Sequence, residues 1–123
     1  MKKVTSGLFN DGYLPIIDGV TVTVRNYAYW LRKKLGPTYV VAPFVPNYKD
    51  NDPFPVIRFL SIPTIVRPPY RIGLPELDMR LPSILKKREF DIVHAHSPFA
   101  AGKLALRVSK EKHIPLIATF HSK

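Results

Sequence analysis

A chain of 123 residues is long enough for one domain with a hydrophobic core and too short for two. It has no cysteine, which excludes disulfides and cysteine-ligated metal sites. Its formal charge of +10 either marks a well-solvated surface or favours anionic partners such as phosphates, nucleic acid or an acidic lipid surface.

The N-terminal region predicts a strand, a loop and a helix. Val4–Phe9 is short and mostly apolar, as in a buried strand, and Asn10–Gly19 is a glycine- and proline-containing loop. Asp18 is a suitable helix N-cap, and Gly36 followed by proline is a suitable end. One helix face is predicted to be buried and consists of Val20, Val24, Tyr27, Ala28, Leu31 and Leu35.

The middle of the chain is dominated by proline. Thr38–Ala42 is β-branched and aromatic, which predicts a second strand. Proline is unsuited to helix interiors and central strands, so most of residues 43–82 is expected to be loop. Val56–Leu60 is the best strand within it, and Ile62–Ile72 contributes a short extended piece.

The C-terminal third returns to regular elements. A short helix is predicted over Leu81–Arg88, and a strand over Asp91–His96. A second long helix follows and ends near Lys112, and Ile114–Phe120 forms the last strand.

Strands that alternate with helices predict an α/β fold with a parallel sheet covered on both faces. The expected architecture is a doubly wound, mostly parallel, Rossmann-like sheet with strand order 3-2-1-4-5. Ligands bind such sheets where the order reverses, beyond the carboxyl ends of the strands. Two loops lie there, Asn10–Val20 after strand 1 and His96–Phe99 after strand 4.

The first of these loops ends at the beginning of a helix. Free N–H groups there suit a phosphate, and Gly19 would let it approach the backbone closely. The alternative is that Gly19 only makes the turn. The chain contains neither the dinucleotide-binding glycine pattern nor a P-loop, which disfavours dehydrogenases and P-loop NTPases.

The second loop follows two histidines. His94 and His96 are two residues apart on a strand, so their imidazoles point to the same side. His96 is expected to reach the crevice, where it can bind a sugar hydroxyl or phosphate or hold a proton, whereas His94 is expected to make a structural hydrogen bond. A metal site made of both with His121 lacks nearby carboxylates and is disfavoured. Asp50–Asp52 predicts a solvated acidic turn.

Several of these segments together resemble the N-terminal domain of family-4 glycosyltransferases. The segments are Asn10–Pro15, Asp18–Val20, Phe90–Phe99 and Ile114–His121, and Asp91–Phe99 is the most specific. The resemblance implies half of a GT-B fold, in which two Rossmann-like domains enclose the active site. It also implies retention of anomeric configuration, no metal ion and no cofactor.

Residue roles follow from the same resemblance. Gly19, with Asp18 and Val20, matches the segment whose backbone faces the diphosphate of the donor. His96 matches the histidine that contacts the transferring sugar, and is the expected catalytic residue. The expected acceptor-binding residues are Asn10, Tyr13, Ser97 and His121.

The resemblance also sets expectations for domains and partners. Residues 1–123 are expected to be part of the acceptor-side domain, without the C-terminal donor-binding domain, and therefore inactive alone. The expected partners are a nucleotide-sugar donor, a lipid or saccharide acceptor and the missing domain, and no nucleic acid is expected.

A basic segment suggests a further partner. Leu81–Arg88 predicts a short amphipathic surface helix in which Lys86, Lys87 and Arg88 contact an anionic membrane. The expected location is therefore the cytoplasm, with peripheral attachment to the cytoplasmic membrane face. The alternative to an enzyme is a basic module or inactive remnant that binds anionic membrane or nucleic acid.

Overall fold

The computed structural model describes residues 3–65, 68 and 70–119. The helices and strands, in chain order, are β1 (Ser6–Phe9), α1 (Gly19–Lys34), β2 (Thr38–Pro43), β3 (Val56–Phe59), β4 (Ser61–Pro63), β5 (Arg71–Gly73), α2 (Leu81–Lys86), β6 (Ile92–Ala95), α3 (Ala100–Lys112) and β7 (Leu116–Ala118). A single 3-10 turn at Pro75–Leu77 precedes α2.

Five strands form the main sheet in the order β3-β2-β1-β6-β7, and each neighbouring pair is parallel. In β1, Leu8 pairs with Val40 on one side and with His94 on the other. Strands β6 and β7 are the fourth and fifth strands of the sequence prediction, so the predicted order 3-2-1-4-5 is confirmed. The α/β doubly wound class is confirmed with it.

The two faces of the sheet are both buried, because successive side chains of a strand point to opposite sides. Phe9 belongs to a cluster with residues of α2 and α3, including Leu85 and Leu104. Its neighbour Leu8 packs on the other face, in a cluster that includes Val24 of α1. This two-sided burial explains why the central strands read as continuous apolar runs.

Helix α1 begins and ends as the sequence predicts, but its buried stripe is different. The buried residues are Thr21, Val24 and Ala28, which lie at spacings of three and four. Tyr27 and Leu35 are 46% and 43% exposed, so the prediction that both face the core is wrong. The stripe is centred on Val24, and Tyr27 lies beside it.

The proline-rich segment contains an element that the sequence does not reveal. Strands β4 and β5 form a separate antiparallel hairpin in which Ile62 pairs with Ile72. Prolines at both ends of this stretch conceal the pairing in the sequence. The hairpin packs beside the end of β3, where Phe59 lies against Gly73.

The acidic residues before β3 are not a solvated turn. The Asp52 side chain is only 4% exposed, and it accepts hydrogen bonds from the Tyr13 hydroxyl at 2.6 Å and the Arg25 guanidinium at 2.9 Å. Asp50 accepts two hydrogen bonds from Arg58, which also donates to the Leu14 carbonyl oxygen. The sequence prediction is therefore wrong here, since these carboxylates fasten the loop to the domain.

Helix α2 keeps only part of the predicted membrane-binding character. Leu81 and Leu85 are buried in the core, so the apolar side of the helix is already covered. The guanidinium of Arg88 lies 5.2 Å from the ring centre of Tyr39, at the start of β2. The charges of Lys86 and Lys87 are exposed and remain available to an anionic surface.

Among the described residues, none of the helices combines the length and the apolar character that a membrane span requires.

The packing of the hairpin predicts a specific cost at Gly73. A methyl group there would overlap the Phe59 ring, so we expect Gly73→Ala to destabilise the protein by roughly 1–3 kcal/mol through overpacking. Urea denaturation measures the change as a lower midpoint at constant slope. Gly12→Ala is the matched control, since its added methyl lies 4.0 Å from the Tyr70 ring. Equal midpoints for the two variants would contradict this packing.

Candidate functional site

A cleft of about 680 Å³ lies at the carboxyl edge of the sheet, which is the edge where the parallel strands end. It lies between the loops that follow β1 and β6, as the sequence predicts, and the β4–β5 hairpin supplies a third wall. The lining residues from the first loop and α1 are Asn10, Asp11, Gly12, Asp18 and Val20. Those from the hairpin are Tyr70, Arg71, Ile72 and Gly73, and those from the second loop are His96, Ser97, Pro98, Phe99 and Ala100.

Asp11 joins the two loops that the sheet brings together. Its carboxylate accepts a hydrogen bond from the Ser97 hydroxyl at 2.5 Å and one from the Ala101 amide at 2.8 Å. The amide of Asp11 donates in return to the Ser97 oxygen at 3.0 Å. Asp11 therefore also caps the first turn of α3 and fixes the shape of the cleft.

Sequence reasoning did not select Asp11. Its partners are 86 and 90 residues away, so no local pattern signals the contact. Ser97 lines the cleft as expected, with its hydroxyl held by Asp11.

Of the expected acceptor-binding residues, Asn10 lies in the cleft whereas Tyr13 lies in the core. Asn10 lines the cleft, is 4% exposed, and donates from its side-chain amide to the Gly12 carbonyl oxygen at 2.6 Å. Tyr13 is 1% exposed and lies in the core cluster beneath α1, and its hydroxyl donates to Asp52. Burial, followed by the Asp52 hydrogen bond, raises the pKa of Tyr13 far above its usual range. We therefore assign Tyr13 a structural role.

The first turn of α1 opens onto the cleft. The Asp18 carboxylate accepts a hydrogen bond from the Thr21 amide at 2.8 Å, which confirms Asp18 as the N-cap of α1. It accepts a second from the Tyr70 hydroxyl at 2.7 Å. Burial raises the pKa of Asp18, but the hydrogen bonds from Thr21, Tyr70 and the Val20 amide outweigh it and hold the pKa below its ordinary value. Asp18 is thus ionised at neutral pH and connects the helix to the hairpin.

Gly19 occupies open space at the same turn. A methyl group at this position would meet no described atom within 4 Å, and the backbone is not in the left-handed region. Neither close packing nor an unusual backbone angle requires glycine here. The described residues therefore leave the space beside the Gly19 Cα open.

The two histidines lie side by side at the end of β6. Their ring centres are 3.9 Å apart and their planes are stacked, as expected from the two-residue spacing. The Nε2 of His94 is 2.8 Å from the Thr119 hydroxyl, which is the structural hydrogen bond that the sequence predicts. His96 lines the cleft and is 1% exposed, and Tyr27 packs 5.7 Å from its ring.

The structure thus brings together five of the expected site residues, which are Asn10, Asp18, Val20, His96 and Ser97, with Gly19 between two of them. His121 lies outside the described residues. Within the described part of the chain, no three histidine, aspartate or glutamate side chains are grouped closely enough to hold a metal ion.

The cleft combines a helix N-terminus with an imidazole side chain. The amino end of the 16-residue helix α1 carries partial positive charge, the Asp18 carboxylate already accepts its Val20 and Thr21 amides, and the cleft wall beside it includes His96. A ligand that combines a phosphate with hydroxyl groups fits both features.

Comparison with known proteins identifies similar chains. Residues 17–123 match the family described as Glycosyltransferase Family 4. The chain is 35% identical over 119 residues to the alpha-monoglucosyldiacylglycerol synthase of Acholeplasma laidlawii, a match that covers 94% of this chain and 29% of that protein.

Two further relatives share less identity. The alpha-monoglucosyldiacylglycerol synthase of Streptococcus pneumoniae is 27% identical over 94% of this chain and 26% of its own length. The GDP-mannose-dependent alpha-mannosyltransferase of Corynebacterium glutamicum is 26% identical over 99% of this chain and 30% of its own length. The chain spans about three tenths of the length of the curated relatives it matches.

The hydrogen bonds to Asp18 predict a pH-dependent stability. Its folded pKa is lowered, so the ionised form stabilises the fold fully above the ordinary aspartate value of about 3.9. This stability is lost as the pH falls through the folded pKa. Asp18→Asn retains a capping oxygen without the charge, and we expect it to cost less than about 1 kcal/mol at pH 7 because the site is partly exposed.

Urea denaturation of both proteins between pH 7 and pH 3 measures the difference. The difference in the free energy of unfolding between the unaltered protein and Asp18→Asn should become smaller as the pH falls towards 3. At pH 7 this difference should also be smaller when both proteins carry Tyr70→Phe. A gap that is constant over this range would show that the charge of Asp18 does not stabilise the fold.

Proposed function

Since the chain belongs to glycosyltransferase family 4, we propose that it forms the acceptor-side wall of the active site of a retaining glycosyltransferase. The enzyme transfers a sugar from a nucleotide-sugar donor to a lipid or saccharide acceptor. The observation that carries this proposal is the cleft where the first turn of α1 and His96 meet.

The donor diphosphate is proposed to lie at the first turn of α1. The bond between the sugar and the diphosphate breaks during transfer, and negative charge develops on the leaving oxygen. The Gly19 amide, which precedes the Val20 and Thr21 amides bound by Asp18, is proposed to donate to this oxygen, and a donor fixed in a helix stabilises the charge without reorganising. Gly19 supports the assignment, because its open surroundings leave room for a phosphate beside the backbone.

His96 is proposed to be the catalytic residue that contacts the transferring sugar. Its ring packs against the rings of His94 and Tyr27, which fixes its orientation in the cleft wall. A fixed contact of this kind favours the transition state by holding the sugar in one orientation. Asn10 and Ser97 lie nearby and are proposed to border the acceptor.

Of the two acceptor classes, lipid and saccharide, we propose a lipid. Two relatives carry the name alpha-monoglucosyldiacylglycerol synthase, and one of them is 35% identical to this chain. The net charge of +10 suits an enzyme that works at an anionic membrane face. We accordingly propose a cytoplasmic location with peripheral attachment to the membrane.

The enzyme is proposed to need a second domain besides the one formed by these residues. The donor-binding half is proposed to lie in the portion of the relatives that this chain does not cover, so residues 1–123 alone would not catalyse transfer. The reaction is proposed to need neither a metal ion nor a cofactor, with the charge of the diphosphate stabilised by protein groups.

The role of Gly19 can be tested separately from its effect on folding. We expect Gly19→Ala to retain or raise the free energy of unfolding, by up to about 1 kcal/mol, since alanine is the better helix residue. In the protein at its full natural length, kcat/KM for the nucleotide-sugar donor should fall by roughly tenfold or more, the equivalent of one charge-assisted hydrogen bond.

Val22→Ala is the control, because this exposed residue lies in the same helix and outside the cleft lining. Steady-state kinetics at varied donor concentration compare the two variants. If Gly19→Ala leaves kcat/KM for the donor unchanged, the diphosphate does not bind at this turn.

A further inference from the structure

A group of exposed apolar side chains lies along the hairpin and the turn that follows it. Ile65 is 97% exposed, Met79 93% and Leu77 64%, and the cross-strand partners Ile62 and Ile72 are 44% and 49% exposed. We call these five residues the apolar ridge. Large apolar side chains clustered within a short segment mark an interaction surface more often than scattered ones do.

Two hydrogen bonds at Leu60 join the hairpin to the turn that follows it. The Leu74 amide donates to the Leu60 carbonyl oxygen at 2.7 Å, and the Leu60 amide donates to the Asp78 carboxylate at 2.9 Å. Ile62 and Ile72 are direct partners in the hairpin, so their side chains lie on the same face. The hairpin and the turn, which carry the exposed residues, are therefore joined at Leu60.

The ridge is continuous with the cleft. Ile72 and its neighbour Arg71 line the cleft wall, and Phe99, which is 68% exposed, lines it from the opposite loop. The cleft thus has a polar inner part around Asn10 and His96 and an apolar side formed by Ile72 and Phe99. An amphiphilic ligand fits this gradient with its polar end inward.

The charged groups beside the ridge lie in pairs. Arg80 is exposed, and its guanidinium lies 3.9 Å from the buried carboxylate of Asp78, which also accepts hydrogen bonds from the Leu60 and Arg80 amides. The remaining carboxylate of the turn, Glu76, lies 4.0 Å from Arg107. Both arginines thus have a carboxylate nearby, and the positive excess that favours an anionic over a neutral lipid surface comes from the net charge of +10, to which the exposed Lys86 and Lys87 contribute.

We propose that the apolar ridge enters the interfacial layer of a bilayer that contains anionic phospholipid. The cleft mouth then faces the membrane, and a lipid acceptor passes from the bilayer along Ile72 and Phe99 with its hydroxyl end towards His96. The acceptor part of this inference rests on the proposed function, whereas membrane entry by the ridge does not.

This surface differs from the one that the sequence suggested. The apolar side of α2 is buried, and Arg88 lies over Tyr39 at the edge of the sheet opposite the cleft. Lys86 and Lys87 can therefore add long-range attraction, but insertion requires exposed apolar groups, which the ridge supplies.

Vesicle flotation tests the ridge in the purified protein at its full natural length. Vesicles of phosphatidylglycerol and phosphatidylcholine should bind Ile65→Ser/Met79→Ser at least about tenfold more weakly than the unaltered protein, since two apolar side chains no longer leave water. The control, Val22→Ser/Leu106→Ser, removes two exposed apolar side chains from α1 and α3 and should bind as the unaltered protein does.

Salt separates insertion from electrostatic attraction. The loss caused by Ile65→Ser/Met79→Ser should persist at 1 M salt, where the Debye length is about 3 Å. Any loss caused by Lys86→Ala/Lys87→Ala should be confined to low salt. Equal flotation of the ridge variant and its control would overturn the proposal.

Quenching by brominated lipids reports insertion directly. Fluorescence of Ile65→Trp should be quenched more strongly than that of Leu106→Trp, since only the first places an indole on the ridge. Equal quenching would overturn the proposal and indicate that another part of the protein covers the ridge. Donor kinetics of Gly19→Ala are a separate readout, so failure of the ridge and failure of the proposed function are distinguishable.

Discussion

Strand β1 pairs in parallel with β2 on one side and with β6 on the other, and the position of the cleft follows from this arrangement. The chain turns to one side after β1 to form α1, and to the other side after β6 to form α3. Their two loops therefore diverge above the same edge of the sheet and leave a crevice between them. Asp11 spans the base of the crevice and holds the loops at a fixed separation.

The hairpin adds a third wall to this crevice. It contributes the wall that includes Tyr70 and Ile72, and the Tyr70 hydroxyl donates to Asp18 at the start of α1. The carboxylate that caps the helix thus also positions the hairpin. The helix turn proposed for the donor phosphate and the wall proposed for the acceptor are consequently joined by one side chain, which favours a fixed geometry between the two substrates.

The sequence predicts the parts of this structure that have local signals. The alternation of strands and helices, the Asp18 cap and the two switch-point loops follow from periodicity and turn residues, and the strand order follows from the handedness of crossovers. The pairing of β4 with β5 is not visible because prolines interrupt the pattern. The buried stripe of α1 is misjudged at Tyr27, because apolar spacing alone does not show that the histidine rings of β6 lie beside it.

Long-range contacts account for the rest of what sequence reasoning missed. Asp11 accepts hydrogen bonds from Ser97 and Ala101, which lie 86 and 90 positions later in the sequence. Asp52 accepts one from the Tyr13 hydroxyl, 39 positions earlier. Such partners depend on the completed fold, so their residue types give no local indication of the contact. The location of Asn10, Asp18, Val20, His96 and Ser97 at one cleft is predictable because topology places their loops at one edge of the sheet, and their roles stay predictions.

A crystal structure of the protein at its full natural length, with its nucleotide-sugar donor bound, tests the central claim most directly. We expect a diphosphate oxygen within about 3 Å of the Gly19 amide nitrogen, with the sugar next to the His96 ring. A diphosphate bound away from the first turn of α1, or a sugar that does not contact His96, would contradict it.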